Sequence, residues 1–164
     1  VKGEATWAHS LAVAERGRVV AGVVFLPARD KLYSAHAGGG ATLNAVALKA
    51  SCRSEIDGAD VLGPRVTFNP EHWADGAPNV TRHFRPSLAY RMALVAEGRF
   101  DAMITLRNAW EWDIAAGALI AEEAGARVLD RNGRPLVFNS RPLQTAGVLA
   151  GGPDVVAGLL SRLA

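Results

Sequence analysis

The sequence predicts a mixed α/β (α+β) fold, and three observations carry that expectation. Short apolar runs rich in β-branched residues alternate with turn clusters over residues 9–50, strand and helix patterns then alternate to the end, and two segments space their apolar residues as buried helices do. At 164 residues, 49% hydrophobic and 21% charged, the chain can bury one substantial core or two small packed lobes. A boundary is expected near residues 52 to 62, dividing an antiparallel sheet over residues 1–56 from an α/β part over residues 57–164.

HSLAVAE (9–15), VVAGVVFLP (19–27) and KLYSAH (31–36) read as an antiparallel meander joined at the RGR and ARD turns. Pro27 lacks an amide proton and ends its strand. Gly38, Gly39 and Gly40 permit a tight bend before a short strand around AVALKA (45–50). Residues 54–85 carry Pro, Asn and Gly and show no regular period. A helix is predicted over 86–98, because Leu88, Met92, Val95 and Ala96 share one face, Ser87 stands near its start and Gly98 can close it. DAMITL (101–106) is a strand candidate, and a second helix is predicted over 113–124 with Gly125 as its stop. RVLD and PLVFN flank Asn132 and Gly133, which predicts a hairpin. TAGVLAG reads as a buried strand and PDVVAGLLSRL as a closing helix with Pro153 in its first turn.

The 18 Lys and Arg residues against 16 Asp and Glu give a formal charge of +2. The bases are scattered, so no nucleic acid polymer is expected as a partner, while small phosphate ligands stay open. Cys52 is the single cysteine, which excludes an internal disulfide and a cysteine metal site and fits a cytoplasmic protein. No stretch approaches the roughly 20 apolar residues of a membrane span, and no secretory signal opens the chain, so no membrane association is expected. The first residues, VKGEATW, lack a methionine, as a fragment or a cleaved product would.

The chemistry concentrates in AWEWDIAAG (109–117). Asp113 can cap the helix that follows, accepting bonds from first-turn amides at the positive end of the helix dipole. It can equally serve a hard cation: Glu111 adds a second anionic group, Trp112 a bulky neighbour, and the small residues after Ile114 allow close approach of another element. Mg²⁺ is held by one or two carboxylates together with waters and substrate phosphate oxygens. Asp101, Glu97 and Glu4 are the other acidic candidates, with Asp101 better read as a turn or strand-start residue. Ser87 and Arg91 lie four apart, so Ser87 and the first amides of its helix suit an anion; the alternative is a capping serine with a surface arginine. GGGATLN lacks the spacing and lysine of a P-loop. His9, His36, His72 and His83 show no metal-ligand spacing, and core packing is the expectation for Trp7, Trp73, Trp110 and Trp112.

WDIAAGALIAEEAGARV resembles the second signature of the inositol monophosphatase family. GVVFLPARDKLYSAHAGGGATLN and LAYRMALVAEGRFDAMI resemble two further family segments in the right order, so the resemblance covers nearly the whole chain. It implies a layered α/β/α/β/α sandwich and Mg²⁺-dependent, Li⁺-sensitive removal of phosphate from a small molecule, with Asp113 as a metal ligand. The EWD form and Arg91, where relatives have Lys, are more similar to bacterial 3'(2'),5'-bisphosphate nucleotidases. These act on adenosine 3',5'-bisphosphate, a by-product of sulfate assimilation. Ser87, Arg91 and Glu111 are then candidate substrate contacts, although RPSLAYR departs from the GSSLK of that branch. The inositol branch carries a glutamate where this chain has Thr105 or Leu106, and an inositol or other sugar-alcohol monophosphatase is the alternative. A noncatalytic nucleotide-binding or scaffold fragment is the third reading. The family's first signature, D-P-I-D-G-T, and its upstream Glu-Glu pair are absent. The resemblance therefore implies a sandwich incomplete at its N-terminus, with the catalytic residues upstream and this chain inactive alone. An exposed sheet edge would then favour a homodimer.

Overall fold

The computed structural model describes residues 6 to 164, which form four layers: an antiparallel sheet, a helix pair, a second sheet and one outer helix. The first sheet runs β1 (His9–Glu15), β2 (Arg18–Leu26), β3 (Lys31–His36), β4 (Ala41–Leu43) and β5 (Val46–Ala47), each antiparallel to the next. The first three strands lie where β-branched runs between turns placed them. β4 occupies ATL, directly after the glycine bend and ahead of the strand expected around residues 45–50. Thr42 sits opposite Ser34 there, and their hydroxyls lie 3.0 Å apart. Asn44 and Ala45, at φ 48 and 68, turn β4 into β5. Asn44 steadies that turn by accepting from Leu32 N and donating to Asp30 O, each at 2.8 Å.

The second sheet contains β6 (Asp60–Leu62), β7 (Thr81–His83), β8 (Ala102–Thr105), β10 (Arg127–Leu129) and β12 (Val148–Gly151), in the spatial order β10-β12-β8-β6-β7. β6 is parallel to both neighbours, and the other pairs are antiparallel. A separate small ladder joins β9 (Ala109–Trp110) to β11 (Gln144–Thr145). Helices α1 (Leu88–Ala96) and α2 (Glu111–Glu123) fill the space between the two sheets, and α3 (Pro153–Leu160) covers the far face of the second. Residues of the second sheet alternate between these two sides. Ala102, Ile104 and Leu149 join Val155, Val156 and Leu159 of α3, while Met103, Val148 and Ala150 join the cluster that contains α1 and α2. Burial on both faces explains why these strands read as continuous apolar runs. Among the described residues, no helix is long and apolar enough to cross a membrane.

Three expectations need correction. The Asn132-Gly133 turn forms, with Asp130 Oδ1 accepting from Asn132 N and Arg134 N at 2.8 Å each, but residues 135–139 do not return as a strand. Pro135 has no amide to donate, and Phe138 instead packs into the first cluster with its amide bonded to Gly17 O at 2.9 Å. TAGVLAG is two strands rather than one, because Gly147 at φ 71 breaks it between β11 and β12. Of the four tryptophans only Trp73 is core, donating its ring N–H to Thr67 O at 3.0 Å; Trp7, Trp110 and Trp112 are 52%, 43% and 56% exposed.

The layers close on small residues. A Cβ at Gly22 of β2 would stand 3.0 Å from Ala116 Cα, and one at Gly117 would stand 2.9 Å from Met92 Cβ of α1. The small residues after Ile114 thus permit the close approach that the sequence suggested. At the far end of α1, Glu97 links the helix to β3. Lys31 Nζ donates to both its carboxylate oxygens at 2.9 and 3.1 Å, and the Tyr33 hydroxyl donates to the same group. Glu97 is therefore a structural clamp and not a free acidic ligand.

Burial first, and the Glu97 carboxylate second, push the Tyr33 hydroxyl well above the ordinary value of 10. An unfolded chain ionises this tyrosine near pH 10 while the folded chain keeps it neutral, so its stabilisation is complete below that pH and is lost above it. Tyr33→Phe should cost about 1 kcal/mol in urea unfolding at neutral pH and should flatten the fall in stability between about pH 9 and 11.

Candidate active site

β9 delivers the chain to the mouth of α2, where Trp110 occupies the capping position without a side-chain cap bond. The helix begins at Glu111, two residues before the expected start. Asp113 therefore lies inside the first turn and not ahead of it, so it is not the residue at the cap. Its side chain is exposed and takes no hydrogen bond or ion pair among the described residues. The helix dipole alone favours an anion there by about 0.3–1 kcal/mol.

Across from Asp113 stands the start of α1. The two meet in a pocket of about 180 Å³ lined by Asp113, Ser87, Leu88, Ala89, Ser10 and Arg107, among others. Ser87 caps α1, its Oγ accepting from Tyr90 N at 3.2 Å, and its carbonyl accepts from Arg91 N at 3.1 Å. That leaves the amides of Leu88 and Ala89 as first-turn donors without helical partners, the arrangement that binds anions. Arg107 was not singled out from the sequence. It is exposed, has no hydrogen bond or ion pair among the described residues, and follows β8 by two positions. A basic residue just beyond the carboxyl end of a strand in a partly parallel sheet was the signal that could have found it.

Two expected substrate contacts take other places. Arg91 is neither a surface residue nor a pocket residue: it is 4% exposed, and its guanidinium donates to Arg85 O and, at 3.4 Å, to Pro86 O while lying 4.8 Å from the Phe84 ring centre. Helical side chains lean towards the N-terminus, which carries Arg91 back onto the loop ahead of α1. Burial, then the nearby positive charge of Arg107, lowers its pKa to about 10. Glu111 is 6% exposed and faces inward. Its carboxylate accepts from Asn139 N at 2.7 Å, Ser140 N at 3.1 Å and the Ser140 hydroxyl. It pins the 139–140 turn against α2 and has little left for a substrate. Trp112 stacks on Trp110, with ring centres 4.6 Å apart and planes at 10°.

The remaining acidic candidates are also engaged. Asp101 accepts from Ser51 Oγ at 2.6 Å and from Asp60 N at 2.9 Å; Glu4 lies outside the described residues. Among the described residues, no three His, Cys, Asp or Glu side chains converge on one point. The open Asp113 carboxylate fits a hard cation as one oxygen ligand, and the chain's described residues supply no second.

Because Glu111 holds two backbone amides and a hydroxyl, Glu111→Ala should destabilise the fold by about 2–4 kcal/mol, measured as a shift in the urea midpoint. A variant as stable as the parent would show that the clamp is dispensable.

A model of the inositol monophosphatase family matches residues 1–162. The protein named Nus factor SuhB of Escherichia coli (strain K12) is 32% identical over 166 residues, which are 96% of this chain and 60% of that protein. The protein named inositol-1-monophosphatase of Rhizobium meliloti (strain 1021) is 32% identical over 164 residues, 93% of this chain and 58% of that one. Among solved structures, the extragenic suppressor protein suhB from Bartonella henselae aligns with a TM-score of 0.78 at 27% identity, covering 94% of this chain and 62% of its own. The inositol monophosphatase from Anabaena (Nostoc) sp. PCC 7120 aligns with a TM-score of 0.76 at 27% identity, covering 94% and 64%. The chain thus spans about 60% of the length of the curated relatives it matches. With the family model running over almost every residue and the same layered fold in solved relatives, this chain belongs to the inositol monophosphatase family.

Proposed function

We propose that this chain forms part of a metal-dependent phosphomonoesterase acting on a small phosphate ester, with adenosine 3',5'-bisphosphate as the leading substrate. The observation that carries the reading is the unpartnered Asp113 carboxylate facing the first-turn amides of α1 across one pocket. Asp113, held in the first turn of α2, would serve as one oxygen ligand for a divalent cation, Mg²⁺ in the family's chemistry. When bound, such a cation stabilises charge on the ester and lowers the pKa of an attacking water. Leu88 N and Ala89 N are placed to bind phosphate oxygens, and Ser87 holds the turn that presents them. Arg107 adds a positive charge to the same pocket. Arg91 acts at one remove, fastening the 85–86 carbonyls and hence the entry to α1.

An inositol phosphate is the second candidate substrate, supported by the 32% identity to the protein named inositol-1-monophosphatase. β1 ends its sheet with Leu11 and Val13 62% and 60% exposed, which supports a homodimer as a further expectation.

In a protein carrying the upstream family segment, phosphate release from adenosine 3',5'-bisphosphate should require Mg²⁺, and Asp113→Asn should lower it by at least about 100-fold. Side-by-side rates on inositol 1-phosphate rank the two substrates. The 164-residue chain, with one described ligand, should show no turnover. A folded longer protein that releases no phosphate from either compound sinks the esterase reading.

A further inference from the structure

Sheets end in edges whose backbone groups lack strand partners, and stable proteins keep such edges short, charged or covered. Three of the four edges here do so: β5 has two residues, and β7 and β10 have three each and carry Arg82 and Arg127. β1 does not. It runs seven residues without proline, glycine or lysine, and its ionisable side chains, His9 and Glu15, stand at its two ends. The two-residue turn at Arg16 and Gly17 closes the β1–β2 hairpin on the pair Glu15 and Arg18, so Ser10, Ala12 and Ala14 direct their N–H and C=O groups away from β2. The irregularity in this ladder skips Val20 of β2 and adds no residue to β1, which leaves the outer edge regular. Among the described residues no strand pairs with it.

The side chains make this edge complementary to itself. Reversed about Ala12, HSLAVAE sets Leu11 against Val13, Ser10 against Ala14 and His9 against Glu15. Leu11 and Val13 are both more than half exposed and form an apolar cross-strand pair, while an imidazole meets a carboxylate at each end. Ser10, Ala12 and Ala14 line a groove of about 450 Å³ together with Trp112 and Leu143 at the mouth of α2. A strand of the same sequence lying beside β1 turns only small side chains towards that groove.

We infer that two copies of this chain join through β1, antiparallel about a two-fold axis at Ala12, so that their five-stranded sheets continue as one. The axis makes the contact isologous and closed, and each cross-strand pair occurs twice. Backbone hydrogen bonds supply affinity. Leu11 against the partner's Val13 and His9 against the partner's Glu15 fix the register, since a slip of one residue moves the apolar pair out of line and breaks both end pairs. The inference rests on the homodimer expectation above and adds its interface, register and symmetry; it needs neither metal nor substrate.

Sedimentation velocity on the 164-residue chain, from about 1 to 100 μM, should show a monomer passing into a dimer and nothing larger. Leu11→Lys combined with Val13→Lys sets like charges opposite one another twice and should raise the dissociation constant roughly tenfold or more, with the fold intact because both positions are exposed. In a Cys52→Ser background, Ala12→Cys should cross-link into a disulfide-bonded dimer under mild oxidation, whereas Glu15→Cys, set opposite the partner's His9, should not. A monomer throughout overturns the interface together with the homodimer expectation. A dimer that survives the two lysines, or in which Ala12→Cys cross-links no better than Glu15→Cys, overturns the β1 pairing and leaves a homodimer standing. Assembly beyond a dimer also overturns it, because a two-fold edge contact closes on itself. Phosphate release by the longer protein is read separately and decides the esterase reading alone.

Discussion

The site depends on how closely α2 can approach its neighbours on both sides. Gly22 and Ala116 bring it onto the first sheet, and Gly117 brings it onto α1 at Met92. Interiors pack to crystal-like density, so a single added methylene at either contact must be absorbed by backbone movement. This crowding explains the helix's composition. Ile114, Ala115, Ala116, Gly117, Ala118, Leu119, Ile120 and Ala121 are all buried, so α2 has no solvent stripe through its middle and reads as apolar all round. The rigid placement carries through to its mouth, where the position of Asp113 relative to the start of α1 is set by the spacing of the two helices.

At that mouth two carboxylates two residues apart have opposite fates. Glu111 points inward, where a carboxylate stripped of water is tolerable only with near-complete hydrogen bonding, and three donors provide it. Asp113 points outward and has no donor among the described residues. A dipole benefit of about 0.3–1 kcal/mol fits a surface anion but gives no reason for the facing amides of α1. Those amides and the carboxylate make a polar pocket of mixed sign, which suits a cation and a phosphate together better than either alone.

What the sequence disclosed follows the range of the forces involved. The meander from β1 to β3 and the helices α1, α2 and α3 rest on local spacing and turn chemistry, and their positions were legible within a few residues. β6, β7 and β9 are only two or three residues long, too short to show a period, and exist because distant strands offer them partners. The failed hairpin after Gly133 is of the same kind: a strong local turn signal lost to Phe138 packing near β2. In the site, Asp113 and Ser87 stood out because each sits in a recognisable helix-start pattern. Arg107 carried no such pattern, since its meaning comes from a pocket assembled by segments far apart in the chain. Four-residue spacing fixes a face of the helix but not the direction in which a long side chain leans, and Arg91 leans back onto the 85–86 carbonyls.

Positive charge collects at the mouth of α1. Arg91 keeps its proton at neutral pH despite burial and the repulsion of Arg107, which together lower its pKa only to about 10. Arg107 and the positive end of α1 therefore face a single open carboxylate, while the buried Arg91 charge stays on the 85–86 carbonyls behind them. Like charges held close in a partly desolvated site disfavour one another, and the Arg91 guanidinium is satisfied chiefly by backbone carbonyls that carry no formal charge. A surplus of positive charge at a helix start is costly when the pocket is empty and favourable when a dianion enters. On the proposed esterase reading, a phosphate placed against Leu88 N and Ala89 N would relieve the repulsion and satisfy the open amides at once.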